Sequence, residues 1–129
     1  MRLLLDTHIL VWLVSNDARL PPSLATQLRA PENDLLVSAV CAWEMSIKFH
    51  LGKLPSAAPL LSDFPAVAAR LGAEVLNITP AHAIRAGALD WTHRDPFDRM
   101  LVAQALEEGL RLVTLDESIT SYPQAPILR

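Results

Sequence analysis

Leu3-Leu4-Leu5-Asp6, near one terminus, has a counterpart near the other in Leu112-Val113-Thr114-Leu115-Asp116. Each is a short apolar run that stops on an aspartate. Runs of this length suit strands buried on both faces, as in a parallel sheet. A carboxylate at a strand exit is costly unless hydrogen bonds or a cation compensate it. In an open α/β sheet, the carboxyl ends of the strands also form the edge where ligands bind. Two acids delivered to that edge suggest a metal site, provided other acids join them.

Between these runs, strand and helix patterns alternate. Arg2 to Leu5, Asp34 to Val37, Glu74 to Ile78 and Leu112 to Leu115 read as strands, and Ile127-Leu128 could add an edge strand. Helices fit His8 to Val14, Pro22 to Arg29, Ala39 to His50, Asp63 to Leu71, Pro80 to Ala88 and the stretch from Asp95-Pro96 to Glu108, with a short one after Asp116. Ser38, Thr79 and Asp95 stand where N-caps belong, and Gly52, Gly72 and Gly109 stand where helices stop. The alternation predicts an α/β fold with a mainly parallel sheet of four to five strands flanked by helices, a single domain over residues 1–129.

Composition narrows the function classes. Hydrophobic residues make up 51% of the 129 and charged residues 19%, which favours a folded globule over disorder. The net charge of −3 gives no global pull toward nucleic acid or an anionic membrane, although a bound divalent cation would invert the sign locally. The single cysteine, Cys41, allows no intrachain disulfide, which fits a reducing compartment. The apolar run Ile9 to Val14 is far shorter than the ~20 residues of a membrane span. Asp6 and His8 interrupt it as a signal peptide. The expectation is a cytoplasmic protein without a membrane partner.

Four acids are candidates for one site. Asp6 and Asp116 end strands. Glu44 lies on the helix after the second strand, beside an apolar stripe that includes Val40, Cys41 and Ile47. Asp98 lies in the first turn of the helix opened by Asp95-Pro96. In a parallel sheet, helix N-termini share an edge with strand exits, so all four could converge. Three or four carboxylates without a histidine or cysteine set make an oxygen-ligand site for a hard cation such as Mg²⁺. Such a site can activate water and stabilise an in-line displacement at phosphorus. Each acid also has an ordinary use. Asp6 and Asp116 could cap the following helices, Asp98 complements a helix dipole, and Glu44 could pair with Lys48 four residues on. The four histidines, His8, His50, His82 and His93, show no metal-ligand spacing. Trp12, Trp43 and Trp91 suit core or interface positions, with base stacking a lesser option. No glycine-rich phosphate loop is present.

These residues resemble the PIN domain. Leu5-Asp6-Thr7-His8 with Trp12 is similar to its opening block. Ser38 through Trp43-Glu44 and Ile47-Lys48, followed by Leu51-Gly52-Lys53-Leu54, is similar to its second. His93-Arg94-Asp95-Pro96-Phe97-Asp98-Arg99 and Leu112 to Asp116 are similar to the third and fourth. The likeness covers nearly the whole chain and points to the VapC-like branch, the toxins of type II toxin–antitoxin systems. It implies a PIN-like fold and a Mg²⁺- or Mn²⁺-dependent ribonuclease cutting RNA, with Asp6, Glu44, Asp98 and Asp116 as the acidic quartet. Thr114 is implied as the hydroxyl that orients a carboxylate or the attacking water. Asp95 would be a helix cap, although it is close enough in sequence to compete with Asp98. Lys48, Lys53, Arg94 and Arg99 are candidates for guiding the RNA backbone. The resemblance further implies a homodimer and a cognate antitoxin, whose tail could place an arginine in the acidic pocket. Two other readings remain open at this point: an inactive PIN-like domain that only binds RNA or protein, and a phosphorylated receiver-type domain. The second lacks the paired acids at the first strand exit and the late lysine it needs.

Overall fold

The computed structural model describes all residues, 1–129. Four parallel strands form one sheet in the order β3-β2-β1-β4, with β1 at Arg2–Leu5, β2 at Asp34–Ser38, β3 at Ala73–Leu76 and β4 at Arg111–Val113. β1 is central: Leu5 pairs with Val37 on one side and Val113 on the other. That position explains its composition, because Leu3, Leu4 and Leu5 are wholly buried, both faces of the strand being covered. Each such leucine contributes about 1.5–3 kcal/mol of burial.

Eight helices connect and cover the strands: α1 (Thr7–Ser15), α2 (Pro22–Arg29), α3 (Ala39–His50), α4 (Ala58–Ser62), α5 (Phe64–Arg70), α6 (Pro80–Ala88), α7 (Pro96–Glu108) and α8 (Glu117–Thr120). The starts follow the expected chemistry. Ser38 Oγ accepts from the Val40 N–H at 3.0 Å, and Asp95 Oδ1 accepts from the N–H groups of Phe97 and Asp98. Gly109, at φ +65°, ends α7 in the left-handed conformation that glycine adopts without steric cost. No helix is long and apolar enough to cross a membrane.

Four features differ from the sequence expectation, the first being β3, which ends at Leu76 rather than Ile78. A 3₁₀ turn at Pro55–Ala57 runs into α4, a unit too short for helical periodicity to reveal; Ala57 and Leu60 are its buried anchors. β4 ends at Val113, so Thr114 and Leu115 lie beyond the sheet, and Leu115 is exposed. The edge strand at Ile127-Leu128 reduces to one parallel bridge between Ile127 and Leu112. Pro126 has no N–H, and the Ile127 N–H is taken by the Ala125 carbonyl, so the ladder cannot extend. Of the tryptophans, Trp43 is 56% exposed, with its ring edge-to-face against Phe97, while Trp91 stacks on Tyr122 at 4.4 Å.

Candidate active site

Asp6 leaves β1 and caps α1 in one step. Its Oδ1 accepts from the Thr7 N–H at 2.7 Å, and its Oδ2 accepts from Thr114 Oγ1 at 2.6 Å. Thr114 Oγ1 also accepts from the Asp116 N–H at 3.0 Å. One buried hydroxyl thus ties the exit of β4 to the exit of β1, across 108 residues of sequence. Asp116 is exposed and caps α8 through the Ser118 N–H.

Glu44 is 4% exposed, so it is not an ordinary surface residue. Thr7 Oγ1 donates to its Oε1 at 2.6 Å, and the Lys48 ammonium donates to its Oε2. The expected pair with Lys48 therefore forms, but inside the site. Lys48 is only one-third exposed at its side chain. Burial of the ammonium works against its charge, while the hydrogen bond and charge of Glu44, with Asp95 and Asp98, hold its pKa above the ordinary value.

Asp98 lies in the first turn of α7, where its Oδ2 contacts His93 Nε2 at 2.7 Å. His93, Asp95 and Asp98 bring one ligand atom each within 4.8 Å of one another, and no other trio of His, Cys, Asp and Glu side chains closes to that spacing. His93 thus stands at ligand spacing with two acids, although the sequence spacing of the four histidines shows no such pattern. The available signal was its position, in the loop entering a helix whose first turn carries acids. Asp95 keeps its cap role through Oδ1, so both roles considered for it are open to it.

Electrostatics join these pieces. Burial raises the Asp98 carboxyl to about 6 against the opposing His93 contact, and the charges of Asp95, Asp6 and Asp116 push in the same direction as burial. Burial also raises Asp6, against the hydrogen bonds of Thr114 and Thr7 and with the charge of Glu44. Desolvated carboxylates that feel one another need a cation to remain ionised together. Oxygen donors with one adjoining imidazole fit Mg²⁺ or Mn²⁺ by chemistry, but no three of Asp6, Glu44, Asp98 and Asp116 bring ligand atoms within 4.8 Å of one another, so the four acids share charge rather than a closed ligand cage. Cys41 stands outside this chemistry: burial pushes its thiol up to about 12.

The basic residues separate. Lys53 and Arg94 are exposed. Arg99 is not available as a guide for RNA. Its guanidinium donates to the carbonyls of Ala86, Gly87, Leu89, Trp91 and His93, at 2.9–3.4 Å. It holds together the loop that delivers His93 to Asp98.

The sequence matches the PIN domain family over residues 3–124. It is 32% identical over 120 residues to Ribonuclease VapC22 of Mycobacterium tuberculosis, covering 92% of this chain and 90% of that protein. Ribonuclease VapC16 of the same organism is 42% identical over 50 residues, 39% of this chain and 36% of that one. Among solved structures, VapBC2 from Rickettsia felis bound to a DNA fragment from its promoter superposes with TM-score 0.71 at 17% identity, covering 99% of this chain and 98% of that one. A toxin–antitoxin complex from Klebsiella pneumoniae gives 0.62 at 22% identity over 98% and 95% of the two chains. These two likenesses concern the fold. The match along nearly the full sequence, on a parallel sheet whose first strand exits on the buried Asp6, shows that this chain belongs to the PIN domain family and is a homologue of the VapC ribonucleases.

Proposed function

We propose that this chain is a metal-dependent endoribonuclease and the toxin of a toxin–antitoxin pair. The observation that carries the reading is the gathering of three buried acids, Asp6 at the exit of β1, Glu44 on α3 and Asp98 at the start of α7, with Asp6 and Asp98 both pushed toward neutrality. Asp6, Glu44, Asp98 and Asp116 would hold Mg²⁺ or Mn²⁺. When bound, the ion supplies activation of water for attack on a phosphodiester and neutralises charge on the phosphate. Thr114 fixes the Asp6 carboxylate and Thr7 fixes Glu44, so neither acid has to reorganise as charge develops. Lys48 stays charged beside Glu44 and can meet a phosphate only by releasing the Glu44 carboxylate.

Relationship to VapC ribonucleases supports RNA as substrate, and the likeness to VapBC complexes supports an antitoxin partner. Trp43, Ile47 and Leu51 form an exposed apolar stripe at four-residue spacing along and just past α3, the kind of surface a protein partner covers. A cytoplasmic homodimer completes the reading.

The test is cleavage of single-stranded RNA by the wild type and Asp6→Asn, with Mg²⁺, with Mn²⁺ and with chelator. Asp6→Asn should lose more than the ~10–100-fold expected when a residue only orients a ligand. Equal cleavage by both proteins, or full activity in chelator, overturns the proposal. Absence of metal binding by calorimetry would instead favour an inactive PIN-like binding domain.

A further inference from the structure

A cavity of about 310 Å³ opens beside the acids and is not explained by holding a metal. Asp6 and Asp116 are part of its wall. The rest is Ile9, Leu115, His8, Trp12 and Arg19. His8 and Trp12 stand four residues apart on α1 and share a face, with ring centroids 5.8 Å apart. The Arg19 guanidinium lies 5.3 Å from the Trp12 ring centroid. It is fixed there by Asp17, which accepts from Arg19 Nε at 3.1 Å and Nη2 at 2.8 Å, leaving Nη1 free of any protein partner. Arg19 is 67% exposed at its side chain, so one face of the guanidinium plane is presented to solvent.

The lining of this cavity joins two chemistries. Beside its acids, a phosphate is repelled until a cation is present. Its indole, guanidinium plane, imidazole and exposed leucine offer flat and apolar surface with donors. A nucleobase matches such a wall, because its π-face stacks on aromatic and guanidinium planes and its edges accept hydrogen bonds. The volume stands at the small end of ligand cavities, enough for one nucleoside and too small for a stacked helix.

We infer that the Trp12–Arg19 cavity is a nucleobase subsite, which takes one unpaired base of the RNA next to the phosphate held at Asp6 and Asp116. The assignment rests on the ribonuclease reading for its ligand, and it adds where sequence preference arises. A base in this cavity is read by His8, Arg19 and Leu115, while the acids in the same wall act on the adjoining phosphodiester. Unpaired substrate is required, because a base inside a duplex stack cannot reach the cavity.

The test follows the three indole N–H signals of the ¹⁵N-labelled protein, identified with single Trp→Phe variants. Probes are adenosine 5′-monophosphate, uridine 5′-monophosphate and, as a baseless control, ribose 5-phosphate, each with and without Mg²⁺. Both nucleotides should shift the Trp12 signal and leave Trp43 and Trp91 in place, and ribose 5-phosphate should not move Trp12. With an RNA substrate, Trp12→Ala and Arg19→Gln should each raise KM about tenfold, as loss of one stacked base does. The change in kcat should be smaller, and Trp12→Phe should recover most of the KM loss. Arg19→Gln, an exposed substitution, guards against a merely unfolded Trp12→Ala. The inference is overturned if ribose 5-phosphate shifts Trp12 as strongly as the nucleotides, or if the nucleotides shift Trp43 instead. It also fails if only a purified antitoxin moves Trp12. Asp98→Asn separates the two proposals: it should abolish cleavage and keep the nucleotide-induced Trp12 shift. A wild type that cleaves no RNA yet shows that shift would sink the ribonuclease reading and leave the base subsite standing.

Discussion

Two buried polar clusters sit on α7, and they serve different ends. At its N-terminal turn, Asp98 faces His93, Asp95 and, through charge, Asp6 and Asp116. Nearer its C-terminus, Gln104 and Glu108 meet His82 of α6. The second cluster looks like a site by residue type, since His82 is 1% exposed and holds a carboxylate within 3.3 Å. Its contacts are those of a structural pin, however. His82 Nδ1 accepts from the Thr79 N–H at 3.1 Å, while Thr79 Oγ1 accepts from the His82 N–H at 3.2 Å, closing a capping box. With Nδ1 accepting, the ring proton lies on Nε2, toward Glu108. The α6–α7 cluster carries one carboxylate, half open to solvent, and that charge has a donor. The first gathers several carboxylates with too little positive charge among them. Burial of polar groups is common to both; uncompensated charge belongs to one.

Three substitutions press on that contrast. The largest effect is expected from Thr114→Val. Removing the hydroxyl leaves Asp6 Oδ2 without its buried donor, so cleavage should fall ~10–100-fold, as for other groups that orient a metal-binding carboxylate. Thermal unfolding should show a stability loss of about 1.5–3 kcal/mol, the range for a hydrogen bond to a charged group. Retained activity would remove Thr114 from the site.

The next concerns pH. Folding raises the Asp98 carboxyl from 3.8 to about 6. Between those values the folded protein keeps the proton and the unfolded chain has lost it. This group's contribution to stability therefore falls as pH rises through that window, and the cost is fully present above it. Without metal at neutral pH, Asp98→Asn should be more stable than the wild type by on the order of 1–2 kcal/mol, a gain that vanishes below the unfolded pKa. Denaturant titrations at several pH values read this directly. Adding Mg²⁺ should stabilise the wild type more than the variant. A wild type that gains stability as pH rises through the same window would show that Asp98 is already compensated.

The smallest effect belongs to the pin. Gln104 Oε1 is buried without a partner, and its Nε2 contacts at 3.4 and 3.5 Å are long. Gln104→Met should change stability by less than ~1 kcal/mol, on the favourable side, because it removes an unsatisfied acceptor at similar volume. Cleavage should not change. A fall in cleavage comparable with Thr114→Val would merge the two clusters into one functional unit.

Much of the fold was legible in the sequence because its instructions are local. Ser38, Thr79 and Asp95 cap helices through groups two or three residues away, and the leucine run of β1 reports a strand covered on both faces. What was missed was either too short for a periodic pattern, as in α4, or set by pairing at an edge, as at Ile127. The acids could be picked out one by one, since strand exits and helix starts have recognisable neighbours. Their partners could not. Thr114 reaches Asp6 across 108 residues and Thr7 reaches Glu44 across 37. Arg99 matched the pattern of a phosphate guide but points inward to five carbonyls, because the α6–α7 loop folds over it.

By itself, the sequence determined the alternating α/β plan, the caps and stops of its helices, and which acids are delivered to one edge of the sheet. Those depend on hydrogen bonds and periodicities that span a few residues. Only the tertiary structure decided which acids lose their water, that Thr7 and Thr114 hold two of them, that His93 meets Asp98, and that Trp12 and Arg19 wall a cavity beside Asp6. Desolvation and charge coupling depend on what distant elements place within a few ångströms, and that is a property of the packed molecule.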